Sequence, residues 1–372
     1  MRAAWLEINT NALRKNIRNL KKCIDNDVEF MGVIKADAYG HGAIKVSEIL
    51  MEEGIQRFAV VMVEEGIHLR ENNMQNPILV LGHTPSEDYT KIIDYDLMPA
   101  IYKYSQAYEL NEIAKEKNKV VKIHIKMDTG MGRLGFMPEV ESIDDIKKIN
   151  LLSNITIEGI YTHLSTADQK NNSYVFEQFE KFKFVLNELD KKGVHIPIKH
   201  VANSAATINF KEMHLNMVRP GTSIYGLYPG PEMKQNPIIE LEPVMSLKAK
   251  LVHIKDLDEG SSISYGRTFI ANRPSKIGII PMGYVDGVFR KLANTGFVLI
   301  NGKRCPIVGT ICMDQFMVDL TEVNHVELGD EVVILGSQGD EKISAEEIGD
   351  IAGTISIEVV TRIGKRVPVL YI

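Results

Sequence analysis

The sequence predicts an α/β protein, an N-terminal (β/α)8 barrel of the TIM type followed by a C-terminal, mostly β domain. Three observations carry that reading. Eight times in succession, over about 220 residues, a short β-rich run is followed by a polar turn and a stretch of helical period. The β-rich runs are apolar along their length rather than alternating, as strands buried on both faces are. After about residue 235 short β-branched runs take over, separated by Gly-Asp, Asn-Gly and Gly-Ser steps.

The first unit is Val28–Lys35 followed by 42–53, where Ala43, Val46, Ile49 and Leu50 recur at helical spacing and Gly54 supplies the stop. The second is Phe58–Val63 with 64–72, the third Pro77–Leu81 with 86–94. The fourth is Met98–Tyr102 with Ser105–Lys117, Ser105 being the expected cap. The fifth is Val120–Met127 with 139–149. The sixth is Ile155–Thr162 with 173–192, whose Phe176, Phe179, Lys183, Leu186 and Leu189 share one side before Gly193. The seventh is Ile198–Ala202 with 204–210, and the eighth is Met217–Arg219 leading to Ile224 and Tyr225. A doubly wound open sheet is the alternative that this alternation allows.

These units place the barrel at 9–235, with Pro229, Gly230, Pro231 and Pro237 marking a linker and the β domain at 236–372. Runs at 244–254, 276–281, 296–300, 306–308, 316–320, 331–335 and 366–371 read as its strands. One helix is expected at 345–352, with Ser344 and Glu347 as a capping box. The strand-like residues within 1–8 precede the barrel and can pair with either domain.

Composition narrows the function. Net charge is −6 and no long Lys/Arg block occurs, which argues against nucleic acid as a partner. No segment approaches 18 uninterrupted apolar residues, so no membrane span is expected. Cys23, Cys305 and Cys312 are scattered, odd in number and lack metal spacing, and the opening residues lack a signal-peptide apolar run. A cytoplasmic protein without a bound metal is therefore expected.

In a barrel of this kind chemistry sits at the C-terminal ends of the strands. Lys35 ends the first strand, with Asp37, Tyr39 and His41 beyond it. Asp128, Thr129 and Arg133 follow the fifth, His163 the sixth, Asn203 and Ser204 the seventh, and Arg219, Gly221 and Thr222 the eighth. A lysine after a strand is ordinarily a surface charge. In a partly desolvated mouth its pKa falls and its amine can form a Schiff base with a carbonyl. Ser204 and the Gly221-Thr222 turn occupy the loops where barrels commonly dock a phosphate, although turn and cap chemistry alone would also use them. Gly130-Met-Gly-Arg-Leu-Gly135 matches a dinucleotide fingerprint, but it lies in the fifth unit and Pro138 interrupts the helix such a site needs.

These same residues lie in longer motifs. V-I-K-A-D-A-Y-G-H-G at 33–42, K-M-D-T-G-M-G-R-L-G at 126–135, T-H-L-S-T-A-D at 162–168, N-S-A-A at 203–206 and V-R-P-G-T at 218–222 resemble the bacterial alanine racemases. So do S-Y-G-R-T-F at 264–269, M-G-Y-V-D-G at 282–287 and G-T-I-C-M-D-Q at 309–315. The resemblance runs end to end and in order. It implies a barrel with a β domain and pyridoxal 5'-phosphate as cofactor. It also implies a homodimer with active sites shared between subunits, a small amino-acid substrate, and D-alanine supplied for peptidoglycan.

The resemblance also assigns roles. Lys35 would carry the cofactor as a Schiff base, and Tyr39, Ser204, Gly221 and Thr222 would hold its phosphate. Arg219 would face the pyridine nitrogen, with His163 and Arg219 forming a chain behind Tyr265. Arg133 would contact the ring's phenolic oxygen and, with the backbone of Met313, the substrate. Lys126 corresponds to a lysine that relatives often carry carbamylated. Racemisation must remove the α-proton from one face and return one to the other. Two groups are needed, Lys35 on one face and Tyr265 on the other, the latter reaching in from the partner subunit.

One departure bears on substrate. Where the family has tyrosine in a T-I-x-Y-E stretch, this chain reads Thr354-Ile-Ser-Ile357-Glu358. Ile357 cannot donate a hydrogen bond, so a racemase for serine or another small amino acid is the alternative. A cofactor-carrying barrel without catalysis would lack the motif around Tyr265, and the usual motifs of barrel-type decarboxylases are not evident.

Overall fold

Lys35 and the other strand-end residues are positioned by a closed parallel sheet. The computed structural model describes residues 3–169 and 173–372 and divides into two units, Arg14–Glu242 and Met1–Leu13 with Pro243–Ile372. Strand β1 (Ala4–Ile8) belongs to the second unit. The first unit contains β2 (Glu29–Val33), β3 (Arg57–Val60), β4 (Ile78–Val80), β5 (Met98–Ile101), β6 (Val121–Lys126), β7 (Ile155–Tyr161), β8 (Ile198–His200) and β9 (Met217–Val218). They form an eight-stranded parallel sheet in the order β8-β7-β6-β5-β4-β3-β2-β9. Arg219 N–H donates to the Ala202 carbonyl at 2.9 Å and Asn216 N–H to the Lys199 carbonyl at 3.1 Å, which closes β9 onto β8. The expected barrel is therefore the fold, and the open-sheet alternative is excluded.

The helices pack their apolar stripes on the outside of this sheet. Val46, Ile49 and Leu50 in the helix Ala43–Glu52 are fully buried, each contributing roughly 1.5–3 kcal/mol by area removed from water. Three details differ from expectation. Helix Tyr104–Glu116 starts after Lys103, so Ser105 lies inside its first turn and is not the cap. In helix Ser173–Lys191 the buried stripe is Val175, Gln178, Phe179, Phe182, Val185 and Leu189. Phe176 is instead 41% exposed, because the stripe accommodates Gln178, whose amide binds backbone and hydroxyl groups after β7. Finally, β6 alternates: Lys122, His124 and Lys126 share one face of the strand.

The second unit is built on a ten-stranded sheet. Its strands are β10 (Met245–Lys250), β11 (His253–Leu257), β14 (Ser275–Ile280), β15 (Phe297–Ile300), β16 (Lys303–Val308), β17 (Phe316–Asp319), β18 (Glu331–Gln338), β19 (Glu341–Ile343) and β20 (Val369–Tyr371), with β1. β1 pairs antiparallel with β10 and parallel with β20. The run 244–254 is thus two strands rather than one, β10 beside β1 and β11 at the far end of the order. A separate hairpin, β12 (Ser262–Ile263) with β13 (Phe269–Ile270), packs through Ile263 on the buried cluster of Ile277 and Val308. The helix Ala345–Ala352 is capped by Ser344, whose hydroxyl accepts from Glu347 N–H, and Gly353 stops it in the left-handed region. A further helix, Ser356–Thr361, was not expected from the sequence.

Candidate active site

The chain leaves β2 at Lys35 through an unusual turn. Ala36, Asp37, Ala38 and Tyr39 all have φ between 51° and 55°. A left-handed non-glycine residue costs about 1–2 kcal/mol, so four in a row persist only if they are pinned. Glu65 provides one pin: Oε1 accepts from Ala36 N–H at 2.5 Å while Oε2 accepts from Val61 and Met62. Asp37 provides another, accepting from Ala43 N–H at 2.7 Å. The turn brings Tyr39 back beneath Lys35, whose Nζ lies 5.8 Å from the tyrosine ring centre. Burial, with the Arg133 cation nearby and Glu65 opposing, lowers the Lys35 pKa. Burial pushes the Tyr39 hydroxyl up to about 12, so it is a neutral donor.

The loops after β8 and β9 meet the same turn. Ser204 opens the helix Ser204–Asn209, and Asn203 caps it by accepting from Ala206 N–H. The Ser204 hydroxyl oxygen accepts from Gly221 N–H at 2.9 Å and Ser223 N–H at 3.3 Å. Thr222 begins the single turn Thr222–Tyr225 that follows. A Cβ on Gly221 would stand 2.8 Å from the Tyr39 hydroxyl, so glycine is what lets backbone and phenol approach. The Tyr39 and Ser204 hydroxyls therefore meet the Gly221-Thr222 turn, and both hydroxyls can donate to an anion.

Cations line the rest of the mouth. Lys126 is buried at the end of β6, and burial together with Arg219 and Arg133 brings its pKa down to about 7. Arg219 is buried and donates to Thr162 and Val201 carbonyls and to His200 Nδ1 at 2.8 Å. Burial lowers its pKa to about 10, which still leaves it charged. His163 is partly buried, and burial followed by Arg219, Lys126, Arg133 and Lys35 holds it well below its ordinary value, hence neutral. Arg133 sits in the loop that the dinucleotide fingerprint occupies. There the Asp128 carboxylate accepts from Gly130, Gly132 and Arg133 N–H groups. The glycine loop thus wraps a carboxylate of its own chain, which leaves those N–H groups none to offer a dinucleotide phosphate.

Two expected residues belong to the second unit. Tyr265 begins a turn flanked by Ser264 and Gly266, both at positive φ, and is 74% exposed. Its carbonyl accepts from the Thr310 hydroxyl at 2.9 Å and Ser264 donates to the Thr310 carbonyl, which fixes the base of the side chain. Met313 is exposed, and its carbonyl accepts from Val285 N–H at 3.2 Å. Gly283 permits that approach, since a Cβ there would lie 2.2 Å from the Met313 carbonyl oxygen. Ile357 lies partly buried in the helix Ser356–Thr361.

Pyridoxal phosphate fits the barrel residues on their own chemistry. A depressed lysine amine lies beside a neutral phenol and a serine hydroxyl, with the Arg133 and Arg219 guanidiniums and the Lys126 amine nearby. The nearby carboxylates of Glu65 and Asp128 are already occupied by backbone N–H groups. A dianionic phosphate balances such a site. Sequence reasoning missed His200, His124, Glu158, Glu65 and Gln178, which stand behind these residues. The alternation of charge in β6 is the one signal that could have found His124.

Comparison with known proteins gives a consistent result. Residues 8–229 match the family model described as alanine racemase, N-terminal domain, and residues 244–371 match alanine racemase, C-terminal domain. The chain is 47% identical to the alanine racemase of Halothermothrix orenii over 99% of its length and 96% of that protein. Its fold matches the alanine racemase of Clostridium difficile 630 with a TM-score of 0.96 at 40% identity, covering 100% of this chain and 96% of that one. It also matches the alanine racemase of Bartonella henselae with covalently bound pyridoxal phosphate, with a TM-score of 0.89 at 29% identity and 100% of both chains covered.

Proposed function

Because this chain belongs to the alanine racemase family across both of its halves, we propose that it interconverts L- and D-alanine by a two-base mechanism in which Lys35 and Tyr265 serve opposite faces of the substrate. The activity is that of a pyridoxal-phosphate-dependent alanine racemase. The observation that carries the assignment of residues is the depressed Lys35 amine set against the Tyr39–Gly221–Ser204 cluster.

When bound, pyridoxal phosphate acidifies the α-C–H of an attached amino acid by delocalising the electron pair left behind. Lys35 would hold the cofactor covalently, and Tyr39, Ser204, Gly221 and Thr222 would bind its phosphate. When not holding the cofactor, the Lys35 amine would take the α-proton from one face. Burial and Arg133 favour its neutral form, which a general base requires. Tyr265 returns a proton to the other face, and the roles reverse for the opposite direction. Arg219 would face the pyridine nitrogen, where a fixed guanidinium would keep that nitrogen unprotonated. On the family resemblance, neutral His163 and Arg219 would form a chain behind a Tyr265 brought in by a second copy of the chain. Arg133 would contact the phenolic oxygen and the substrate, and on the family resemblance a Met313 backbone group would contact the substrate carboxylate. Lys126, an amine near neutral pH, is placed to add carbon dioxide and give Arg133 an anionic neighbour.

Tyr265 is largely exposed on its own unit, yet proton transfer needs a site that excludes water. A second copy of the chain covering it is the arrangement the family resemblance implies, and a cytoplasmic homodimer completes the proposal. No helix among the described residues is long and apolar enough to cross a membrane.

The test is an enantiomer assay on a panel of small amino acids with and without added pyridoxal phosphate. Alanine is expected to be racemised in both directions, faster than serine, and only with the cofactor. Borohydride should fix the cofactor to the peptide containing Lys35, and label on a different lysine would overturn the assignment.

A further inference from the structure

Behind Arg219 a line of buried polar groups runs through the interior of the barrel. His200 Nδ1 is the partner of Arg219 at 2.8 Å. His200 Nε2 lies 2.9 Å from His124 Nδ1, and His124 Nε2 lies 3.3 Å from Glu158 Oε2. Glu158 is anchored in turn by Arg57 at 2.9 Å and Lys122 at 3.0 Å. Both imidazoles are fully buried.

Hydrogen-bond chemistry gives this line one direction. Arginine only donates, so His200 Nδ1 must present a lone pair. A neutral His200 then carries its proton on Nε2 and donates it to His124 Nδ1. His124 in turn carries its proton on Nε2, aimed at Glu158, which when ionised only accepts. The reverse tautomers would set N–H against N–H at Arg219. Burial lowers the pKa of both histidines, and hydrogen bonds from His124 and Lys122, with Arg57, hold the Glu158 carboxyl well below its ordinary range.

The backbone is shaped to build this line. Between β6 and β7 the register slips, with Ile123 opposite Ile157 but His124 opposite Gly159, so Glu158 is the extra residue of a β-bulge. A bulge re-aims a side chain that regular alternation would send elsewhere. A Cβ on Gly159 would stand 2.3 Å from His124 Nδ1, so only glycine leaves room for the ring. Tyr161 stacks on His200 at 4.9 Å with 14° between the planes and holds it from the side.

We propose that Glu158 and His124 are positioning residues for the reaction, fixing the Nε2–H tautomer of His200 and thereby the orientation of the Arg219 guanidinium. The proposal rests on the reading that Arg219 faces the pyridine nitrogen.

The experiment is 15N NMR of histidine-labelled holoenzyme. In the wild-type protein His200 and His124 are expected to show protons on Nε2 alone. Replacing the acceptor in E158L should introduce Nδ1-protonated His200 and lower kcat about tenfold, the low end of the loss that follows removal of hydrogen-bond partners behind metal-ligating histidines, without a matching change in KM. E158Q keeps an acceptor oxygen and should restore both readouts. Should E158L fail to fold, H124L removes the acceptor of His200 Nε2–H itself and carries the same expectation for His200. A proton on His200 Nδ1 in the wild type, or a wild-type pattern surviving the broken line, overturns the proposal. The two readings separate cleanly. Cofactor fixed to another lysine with the 15N pattern intact would sink the assigned function alone, whereas a lost pattern in an active racemase would sink the positioning role alone.

Discussion

Lys126 Nζ lies 4.6 Å above the centre of the Tyr161 ring, and the Arg219 guanidinium sits 5.1 Å from that same centre. Two cations thus share one aromatic ring in a buried site. Burial, with Arg219 and Arg133 nearby, brings the Lys126 pKa down to about 7 against an ordinary value of 10.5.

That shift has a signed consequence for stability. Between about pH 7 and 10.5 the unfolded chain carries a proton on Lys126 that the fold does not, so stability rises with pH across this window. Below it both states are protonated and the contribution stays at its least favourable. Urea midpoints measured at several pH values should climb in the wild type relative to K126M. Equal slopes in the two proteins would count against a depressed Lys126.

A neutral Lys126 can also form a carbamate. Its lone pair makes the N–C bond to carbon dioxide, one N–H proton leaves to solvent, and the product is an anion near Arg133 and Arg219. Protein equilibrated with 13C-bicarbonate should show a carbamate carbon resonance that K126M lacks. Persistence of that resonance in the variant would assign it elsewhere.

Gly221 is held to glycine by the Tyr39 hydroxyl 2.8 Å away and by Val33 Cβ 3.2 Å away from an added Cβ. G221A should displace the phenol from the anion cluster at a cost of about 1–3 kcal/mol. Equilibrium dialysis should find pyridoxal phosphate bound about fivefold to about a hundredfold more weakly, since 1.4 kcal/mol is a factor of ten. Unchanged binding would remove Tyr39 and Gly221 from the phosphate site.

The proposed scheme gives Tyr265 one of the two faces. Y265F should lower racemisation by about 10²–10⁴, the range for loss of a general acid–base group. In deuterated water the variant should still exchange the α-proton of one enantiomer, the one presented to Lys35, without inverting it. Racemisation at wild-type rate in both directions would end the two-base scheme.

Ile357 replaces a hydrogen-bonding tyrosine of the family pattern. I357Y should lower the serine-to-alanine ratio of kcat/KM by roughly tenfold, within what a change of about one methylene group in a pocket achieves. No change in that ratio would place Ile357 away from the substrate.

The strand-end positions were legible because they sit in recognisable runs. Lys35, Ser204, Gly221 and Arg219 follow from the count of β–α units and from the motifs around them. The supporting residues were not legible, for physical reasons. Gln178 breaks an apolar stripe that Phe176 seemed to complete, because its amide is used by the backbone near Ser165 and His163. Glu158 reaches His124 only through a register slip between two strands, a relation that neither strand carries alone. The left-handed turn after Lys35 likewise needs Glu65, thirty positions on, to hold it.

The sequence by itself determined the barrel, the β-rich second half and the family. Periodicity, strand composition and motif order are properties of neighbours along the chain. Only the tertiary structure decided that Tyr39, Ser204 and Gly221 meet, that the glycine loop at 130–135 wraps Asp128, and that Glu158 stands behind Arg219. Those outcomes depend on which faces of the strands turn inward when the sheet closes, and closure joins β9 to β8 and β2 across the whole length of the barrel.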